Sequence, residues 1–308
     1  MINKASKFPY MLFFSSVFFT VISVTACQSD STVPRMKSSQ VTVTSTRQLL
    51  DLFAEKNYTP EAWKAGIREV PRFYITNINT RWQEASEKMP VITKKGIFFR
   101  LLAPLALACN EQILKERERL FASDLKVKAD KQWLLQLAQK YKVDVSSGEF
   151  TAVQLQILKR RVDIIPVSLV LAQAAKESGW GSSRFAVEGN ALFGQWDYSG
   201  NGMKPKQQRS ELGDYGIARF DTPMDSVAGY MLNLNTHRAY KSLRERRQEM
   251  RVNNKPISGY QLAFTLQKYS ERGMNYVRAV HNMMRVNNLS PTDQAVLVGD
   301  EIIYLVPN

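Results

Sequence analysis

The spacing of apolar and polar residues predicts a chain built mainly from α-helices. Amphipathic stretches, with apolar residues three or four positions apart, begin at Thr46, Pro60 and Trp133. Two further stretches, 97–109 and 167–175, are apolar nearly all round, which is typical of helices in the centre of a core. The first of these has only 13 residues, whereas a membrane-spanning helix needs about 20. We therefore predict a buried helix there.

The β-structure expected from the sequence is limited. Residues 70–75 are β-branched and aromatic enough to be extended, and residues 198–214, with their Gly and Pro, predict a β-hairpin or long loop over a cleft. The 15 Gly and 12 Pro among 308 residues are too few for a turn-rich all-β fold. The predicted fold class is mainly α (α+β), with a small β-hairpin lobe and a helical N-terminal region.

The N-terminus has the profile of a signal peptide. A short basic start precedes an apolar run over residues 10–24, which is shorter than a transmembrane helix. The run ends in residues 24–27, Val-Thr-Ala-Cys, which resemble a bacterial lipobox. Residues 1–26 are therefore predicted to be a lipoprotein signal peptide, and Cys27 to be acylated and anchored in a lipid bilayer. Gln28, rather than Asp, implies the outer membrane of a Gram-negative cell, facing the periplasm; the alternative is ordinary cleavage and a free periplasmic protein.

The amino-acid composition limits the classes of partner that the protein is expected to bind. Lys and Arg outnumber Asp and Glu by 42 to 28, and loss of the signal peptide, which holds two of the cations, lowers the formal net charge from +14 to +12. A basic exported protein requires an anionic neighbour, either peptidoglycan carboxylates or anionic lipid headgroups. Nucleic acid is not expected, because the cations are spread along the chain without an RNA-binding aromatic signature or zinc-finger spacing. Two Cys and two His make a poor metal site, so we expect no metal and no organic cofactor.

The predicted organisation has five parts, set by these features and by the Ser-Ser-Gly boundary near residue 147. They are the signal peptide 1–26, a Ser- and Thr-rich flexible tether 27–45, a helical N-terminal region 46–145, the domain that carries the chemistry 146–290, and a C-terminal tail 291–308.

The informative chemistry lies where the apolar stretch 167–175 ends. At 100° per residue Gln173 and Glu177 lie on one helix face, so a polar pair projects from the end of a buried helix. The partial negative charge at a helix C-terminus and the aromatic residues that follow both disfavour the ionised carboxyl and raise its pKa. A protonated Glu near neutral pH is what glycoside hydrolysis requires of its general acid.

Residues 172–183, which include Glu-Ser-Gly-Trp-Gly, and residues 190–194, Asn-Ala-Leu-Phe-Gly, resemble the signature of glycoside hydrolase family 73. This family comprises bacterial cell-wall β-N-acetylglucosaminidases. The resemblance implies a lysozyme-like fold with Glu177 as the catalytic acid. Tyr269 and Tyr276 resemble the C-terminal segment in which a Tyr faces the cleft, although Ser-Glu-Arg-Gly stands at 270–273 where the family commonly has a Thr-Asp element.

The N-terminal half carries a second resemblance. The segment 94–99, Lys-Lys-Gly-Ile-Phe-Phe, and the sequence onward through Asn110 and Arg117 are similar to the Bax-like subgroup of proteins that contain this glucosaminidase domain. The combined resemblance covers most of residues 60–290, but only the central motif carries chemistry.

The remaining site residues are candidates with competing structural interpretations. The predicted substrate-binding residues are Gln173, Trp180, Asn190, Trp196, Tyr198 and Tyr269. Of these, Trp180 and Trp196 are as compatible with core packing as with stacking on a sugar, and Asn190 as readily caps a turn.

The second catalytic group is open. Glu211 on the hairpin is the first candidate, because related hydrolases carry a Glu in the corresponding mobile lobe; Glu188 and Asp197 compete with it. Tyr276, or failing it Tyr269, is instead a candidate to orient the substrate's acetamido oxygen in a substrate-assisted mechanism.

The predicted function is an endo-β-N-acetylglucosaminidase that cleaves β-1,4 bonds after GlcNAc in peptidoglycan glycan strands. A lytic transglycosylase is the rival enzyme, although residues 192–195, Leu-Phe-Gly-Gln, depart from its usual Gly-Leu-Met-Gln segment. The rival from another class is a catalytically idle lipoprotein that binds the wall.

Overall fold

A computed structural model describes residues 36–208 and 213–308. The signal peptide, Cys27 and the first part of the predicted tether fall outside these ranges, as does Glu211. The residues from Met36 onward belong to one compact unit. The predicted regions 46–145 and 146–290 therefore share a single hydrophobic core and are not two separate folding units.

Helices dominate the described residues, as predicted. The N-terminal half contains α1 (Thr46–Glu55), α2 (Pro60–Lys64), α3 (Thr80–Lys88), α4 (Val91–Ala122) and α5 (Lys128–Lys140). The C-terminal half contains α6 (Ala152–Arg161), α7 (Val167–Glu177), α8 (Arg184–Gly189), α9 (Pro223–Thr236), α10 (Lys241–Val252), α11 (Gly259–Ala263) and α12 (Met274–Val286), with short 3-10 helices at Arg238–Tyr240, Leu266–Lys268 and Ser290–Gln294.

Local capping explains several helix starts. The Ser45 hydroxyl accepts a hydrogen bond from the backbone of α1, and Thr151 forms a capping box with Gln154 at the start of α6. At α2, Thr59 is the N-cap and Pro60 occupies the first turn, where its missing N–H costs no helical bond.

A three-stranded parallel sheet joins the two ends of the described chain. Its strands are β1 (Lys37–Val43), β2 (Glu69–Ile75) and β5 (Val296–Pro307), in the order β1-β5-β2. Strand β2 confirms the extended segment predicted at 70–75. The predicted tether, which ran to residue 45, and the predicted tail, 291–308, are wrong over β1 and β5. Because each strand finds its partner more than 200 residues away, local composition gave no sign of the pairing.

The long helix α4 occupies the centre of the molecule. It has 32 residues and is apolar enough by length and composition to cross a membrane, yet most of its apolar window is buried inside the protein. It packs against α7, α9 and β2, and residues such as Leu105 and Ala106 are fully buried. The prediction of a buried helix at 97–109 is confirmed.

The small β-hairpin lobe is also confirmed. Strand β3 (Trp196–Asp197) pairs antiparallel with β4 (Gly216–Ile217), and Met203 bridges to Ile217. The backbones cross so closely that a Cβ on Gly216 would lie 2.6 Å from the carbonyl carbon of Gly202, which only glycine permits. Ala191, Met203 and Ile217 form a separate small core beneath this lobe. The architecture is mainly α with two small sheets, which is the predicted fold class.

Candidate active site

Glu177 is the last residue of α7, a helix whose preceding residues from Val167 to Ala175 are all buried. A tight turn follows, and Ser178 fixes it: its hydroxyl donates to the Ala174 carbonyl at 2.6 Å and accepts from the Gly181 N–H at 2.8 Å. Gly179, Trp180 and Gly181 all have positive φ, at 58°, 65° and 77°. The left-handed angles explain the two glycines, which adopt them without strain, whereas Trp180 between them is held in a conformation that bulky residues rarely adopt.

The turn directs Trp180 toward the N-terminal region. The Trp180 ring lies 5.7 Å from Phe98 and 5.2 Å from Phe99 between ring centroids, both on α4. Its carbonyl accepts a hydrogen bond from the Trp82 indole at 3.0 Å. The ring anchors the end of α7 on α4 and is not part of the cleft lining, and the substrate-binding role of Trp180 stays a prediction.

Asn190 is likewise occupied by the fold. It ends α8 in the left-handed region, with φ of 51°. Its side-chain oxygen accepts from the Ile78 N–H at 2.9 Å, and its amide nitrogen donates to the carbonyls of Phe220 and Asp221. Because these bonds use both ends of the amide, the substrate-binding prediction for Asn190 is replaced by a loop-anchoring role.

A directional chain of hydrogen bonds leads to Glu177. Tyr230 donates its hydroxyl hydrogen to Gln173 Oε1 at 2.5 Å, and Gln173 Nε2 donates to the Tyr276 hydroxyl at 2.7 Å. The Tyr276 hydroxyl accepts from an amide nitrogen that can only donate, so its own hydrogen is available to the Glu177 carboxyl, and this interaction lowers the pKa of that carboxyl. Gln173 is fully buried, so it positions Tyr276 and does not contact substrate as predicted.

Stacked aromatic rings hold this chain in place. Tyr269 stacks on Tyr276, with ring centroids 5.2 Å apart and an interplanar angle of 14°. Phe193 stacks on Tyr230 at 3.9 Å, and the Tyr269 hydroxyl donates to the Phe193 carbonyl at 3.3 Å. The stacked pairs Tyr269–Tyr276 and Phe193–Tyr230 thus fix the orientation of the phenols around the carboxyl.

The electrostatics of Glu177 suit a proton donor. Burial raises the pKa of its carboxyl, and although the hydrogen bond from Tyr276 and the charge of Lys176 act in the opposite direction, the pKa stays above its ordinary value. Glu177 Oε1 is buried and has no hydrogen-bond partner.

A cleft of about 620 Å³ lies beside this group. Tyr269 and Tyr240 line it. Burial raises the pKa of both phenols, and the nearby charge of Glu177 acts in the same direction. The pKa of Tyr240 is raised to about 12. Trp196 and Tyr198 stand on the hairpin side with 46% and 62% of their surfaces exposed. The full lining comprises Lys142, Phe193, Gly194, Gln195, Trp196, Tyr198, Gly229, Leu232, Asn233, Thr236, His237, Tyr240 and Tyr269.

The cleft brings together three predicted substrate-binding residues, Trp196, Tyr198 and Tyr269. Trp196 stacks on Tyr215, with centroids 4.9 Å apart, and this contact holds its ring while leaving nearly half of it open. Sequence reasoning missed Tyr230, Tyr240 and Gln195. Only Gln195 carried a local signal, since it directly follows the Asn-Ala-Leu-Phe-Gly motif.

Two competing carboxylates are engaged elsewhere. Glu188 pairs with Arg184 at 3.0 Å on the surface of α8. Asp197 accepts from the Ser199 N–H at 2.8 Å and from the Ser199 hydroxyl at 2.9 Å, and these bonds lower its pKa. Within the ranges that the structure describes, no cluster of three His, Cys, Asp or Glu side chains is placed to hold a metal ion.

Comparison with known proteins identifies the family. The family model for mannosyl-glycoprotein endo-β-N-acetylglucosaminidase, named Glucosaminidase, matches residues 152–289, from the start of α6 to just beyond α12. Protein bax of Escherichia coli (strain K12) is 32% identical over 197 residues, which cover 63% of this chain and 70% of that protein. The chain belongs to the Bax-like proteins with a glucosaminidase-type domain. No solved structure matches it.

The glucosaminidase domain contains the whole cleft apart from Lys142. Glu177, Tyr276 and the aromatic residues of the hairpin all fall inside the match, and the mainly α architecture is the lysozyme-like one expected of this domain. Membership therefore makes the chain a glycoside hydrolase by family.

Proposed function

We propose that this protein is a peptidoglycan hydrolase, an endo-β-N-acetylglucosaminidase that cleaves the β-1,4 bond after GlcNAc in cell-wall glycan strands. One observation carries the proposal. Glu177 is a buried carboxyl of raised pKa that interacts with the Tyr276 hydroxyl, has no hydrogen-bond partner at Oε1, and lies near Tyr240 and Tyr269 in the lining of an aromatic cleft.

The chemistry begins with the proton on the Glu177 carboxyl. A glycan strand lying in the cleft would present a glycosidic oxygen to Glu177, which donates its proton as the bond to the anomeric carbon breaks and that carbon gains oxocarbenium character. A water molecule then adds to the anomeric carbon and gives up a proton, which completes the hydrolysis. The hydrogen bond from Tyr276 stabilises the Glu177 carboxylate formed in the first step.

The exposed aromatic residues supply the binding surface. Trp196 and Tyr198 project into the cleft from the hairpin lobe, with Tyr215 behind Trp196. Their flat apolar faces match the C–H faces of pyranose rings. A strand held there would run past Tyr269 and Tyr240, two lining residues close enough to Glu177 for its charge to raise their pKa values.

The location is proposed from the N-terminal sequence. Residues 24–27 and the apolar run before them support an acylated Cys27 that anchors the protein in the outer membrane, facing the periplasm. The described fold begins with β1, so only a short segment separates the proposed lipid from the sheet.

The test is digestion of purified peptidoglycan by the full chain, followed by mass spectrometry of the products. We expect clearing of a peptidoglycan gel and new reducing ends on GlcNAc. Products with 1,6-anhydromuramic ends would instead identify a lytic transglycosylase. A folded protein that binds peptidoglycan but releases no product would identify a wall-binding lipoprotein and refute the proposal.

A further inference from the structure

Two buried side-chain polar atoms have no hydrogen-bond partner in the part of the chain that the structure describes: Glu177 Oε1 and Gln195 Oε1. Folded proteins satisfy nearly all such atoms, because an unpartnered buried acceptor has lost its bonds to water and gained nothing in return. The Glu177 atom is explained by acid catalysis. The Gln195 atom, in the wall of the same cleft, is not used by that mechanism.

The fold holds Gln195 in place. Its backbone carbonyl accepts from the Ala218 N–H at 2.8 Å, which ties it to the strand opposite. Its amide lies against α9 at Gly229, where a Cβ would stand 3.0 Å from Gln195 Nε2. Any side chain larger than hydrogen at Gly229 would therefore crowd the amide, so α9 leaves room for it in the wall.

We propose that Gln195 binds the 2-acetamido group of an N-acetylated sugar in the cleft, its Oε1 accepting the acetamido N–H. The unpartnered oxygen requires a donor from a ligand. Phe193, Trp196 and Leu232 line the cleft around it and offer apolar surface for the acetyl methyl. An acetamido group presents an N–H next to a methyl, whereas a sugar hydroxyl presents a donor alone. The inference rests on the proposed glycan substrate, and it identifies Gln195 as the residue that recognises the N-acetyl group of that substrate.

The test compares two β-1,4-linked tetrasaccharides, one of N-acetylglucosamine and one of glucose. Binding is measured by calorimetry in full-length Glu177→Gln protein, so that no turnover occurs, with and without Gln195→Met. Methionine keeps the length of the side chain and removes the acceptor. Gln267→Met, on an exposed Gln outside the cleft lining, is the matched control.

We expect Gln195→Met to weaken binding of the N-acetylated tetrasaccharide about threefold to tenfold, the range of one neutral hydrogen bond. Binding of the glucose tetrasaccharide should change less than twofold, and Gln267→Met should alter neither. The Tm of Gln195→Met should equal or exceed that of the parent, because the substitution removes an unpartnered acceptor and no existing bond.

Three results would overturn the inference: equal weakening of both ligands, which assigns Oε1 to a ring hydroxyl; no change with either ligand; or a lower Tm with loss of both, which makes Gln195 structural. Failure of the proposed function is separate. It would appear as undigested peptidoglycan with the unsubstituted protein, whatever the tetrasaccharides do.

Discussion

Replacing Tyr276 by Phe removes the one hydroxyl that connects the buried network to the catalytic carboxyl. Gln173 Nε2 loses an acceptor at 2.7 Å, and Glu177 loses the hydrogen bond that lowers its pKa. Leaving buried polar groups unpaired costs about 1–3 kcal/mol each. Since Phe preserves the stack on Tyr269, we expect a net loss of about 2 kcal/mol, or about 4–8 °C in Tm for a domain of this size. The free energy of unfolding of a folded domain is about 5–15 kcal/mol, so a loss of this size leaves the variant folded.

The effect on activity has a defined sign. Glu177 donates only while protonated, so activity falls as pH rises through its pKa. Loss of the Tyr276 hydrogen bond removes an influence that lowers that pKa. The basic limb of the kcat/KM profile therefore moves to higher pH. The maximal rate should fall about tenfold to a hundredfold, because Glu177 is no longer held in one orientation.

The assay is peptidoglycan digestion across pH alongside thermal unfolding, with Tyr141→Phe as the control. Tyr141 is a buried Tyr whose hydroxyl donates to the Glu116 carboxylate at 2.8 Å, and it is not one of the residues that line the cleft. Loss of the Tyr141 hydroxyl should lower the Tm by a similar amount and leave the pH profile of activity unchanged. If Tyr276→Phe keeps the parental basic limb, the hydrogen bond assigned to Glu177 is refuted, however large the loss of rate.

Four further predictions use the same assays. Glu177→Gln should remove activity about 100-fold to 10,000-fold. The Tm of this variant relative to the parent should increase as pH rises, because the parent loses stability between the ordinary pKa of a Glu and the raised pKa of Glu177; more than a tenth of parental turnover contradicts the assignment. Glu211→Gln should lower activity less than Glu177→Gln, and an equal or absent effect counts against Glu211. Trp196→Ala should raise KM about threefold to tenfold with little change in kcat, and a loss confined to kcat contradicts a stacking role. Cys27→Ser should move the protein from the membrane pellet to the soluble fraction, and unchanged membrane association in high salt contradicts acylation.

The parts of the fold that the sequence predicted are those encoded locally. Helix α1 follows from its apolar spacing and its Ser45 cap, helices α4 and α7 follow from long apolar runs, and β2 follows from a short run of β-branched and aromatic residues. Pairing of β1 with β5 is different, because its partners lie more than 200 residues apart. Nothing in the Ser- and Thr-rich segment around β1 distinguishes a strand in a parallel sheet from a tether.

The site residues divide in the same way, into those that a local sequence pattern predicts and those that it does not. Glu177 was found because helix end, turn and catalytic group are contiguous. Tyr230 and Tyr240 escaped notice because they reach the site from α9 and the 3-10 helix after it, with no spacing that relates them to Glu177. Trp180 shows the opposite limit: its motif marks the site, but its ring turns toward α4, which sequence proximity to Glu177 does not reveal.

The contacts that orient the catalytic turn cross the start of the family match at residue 152. Trp82 binds the Trp180 carbonyl, and the Ile78 N–H binds Asn190, so segments before the matched domain hold both ends of the loop after α7. Further back, Asn110 on α4 exchanges two hydrogen bonds with the backbone of Ile165, just before α7 begins. The helical N-terminal region therefore supports the site directly.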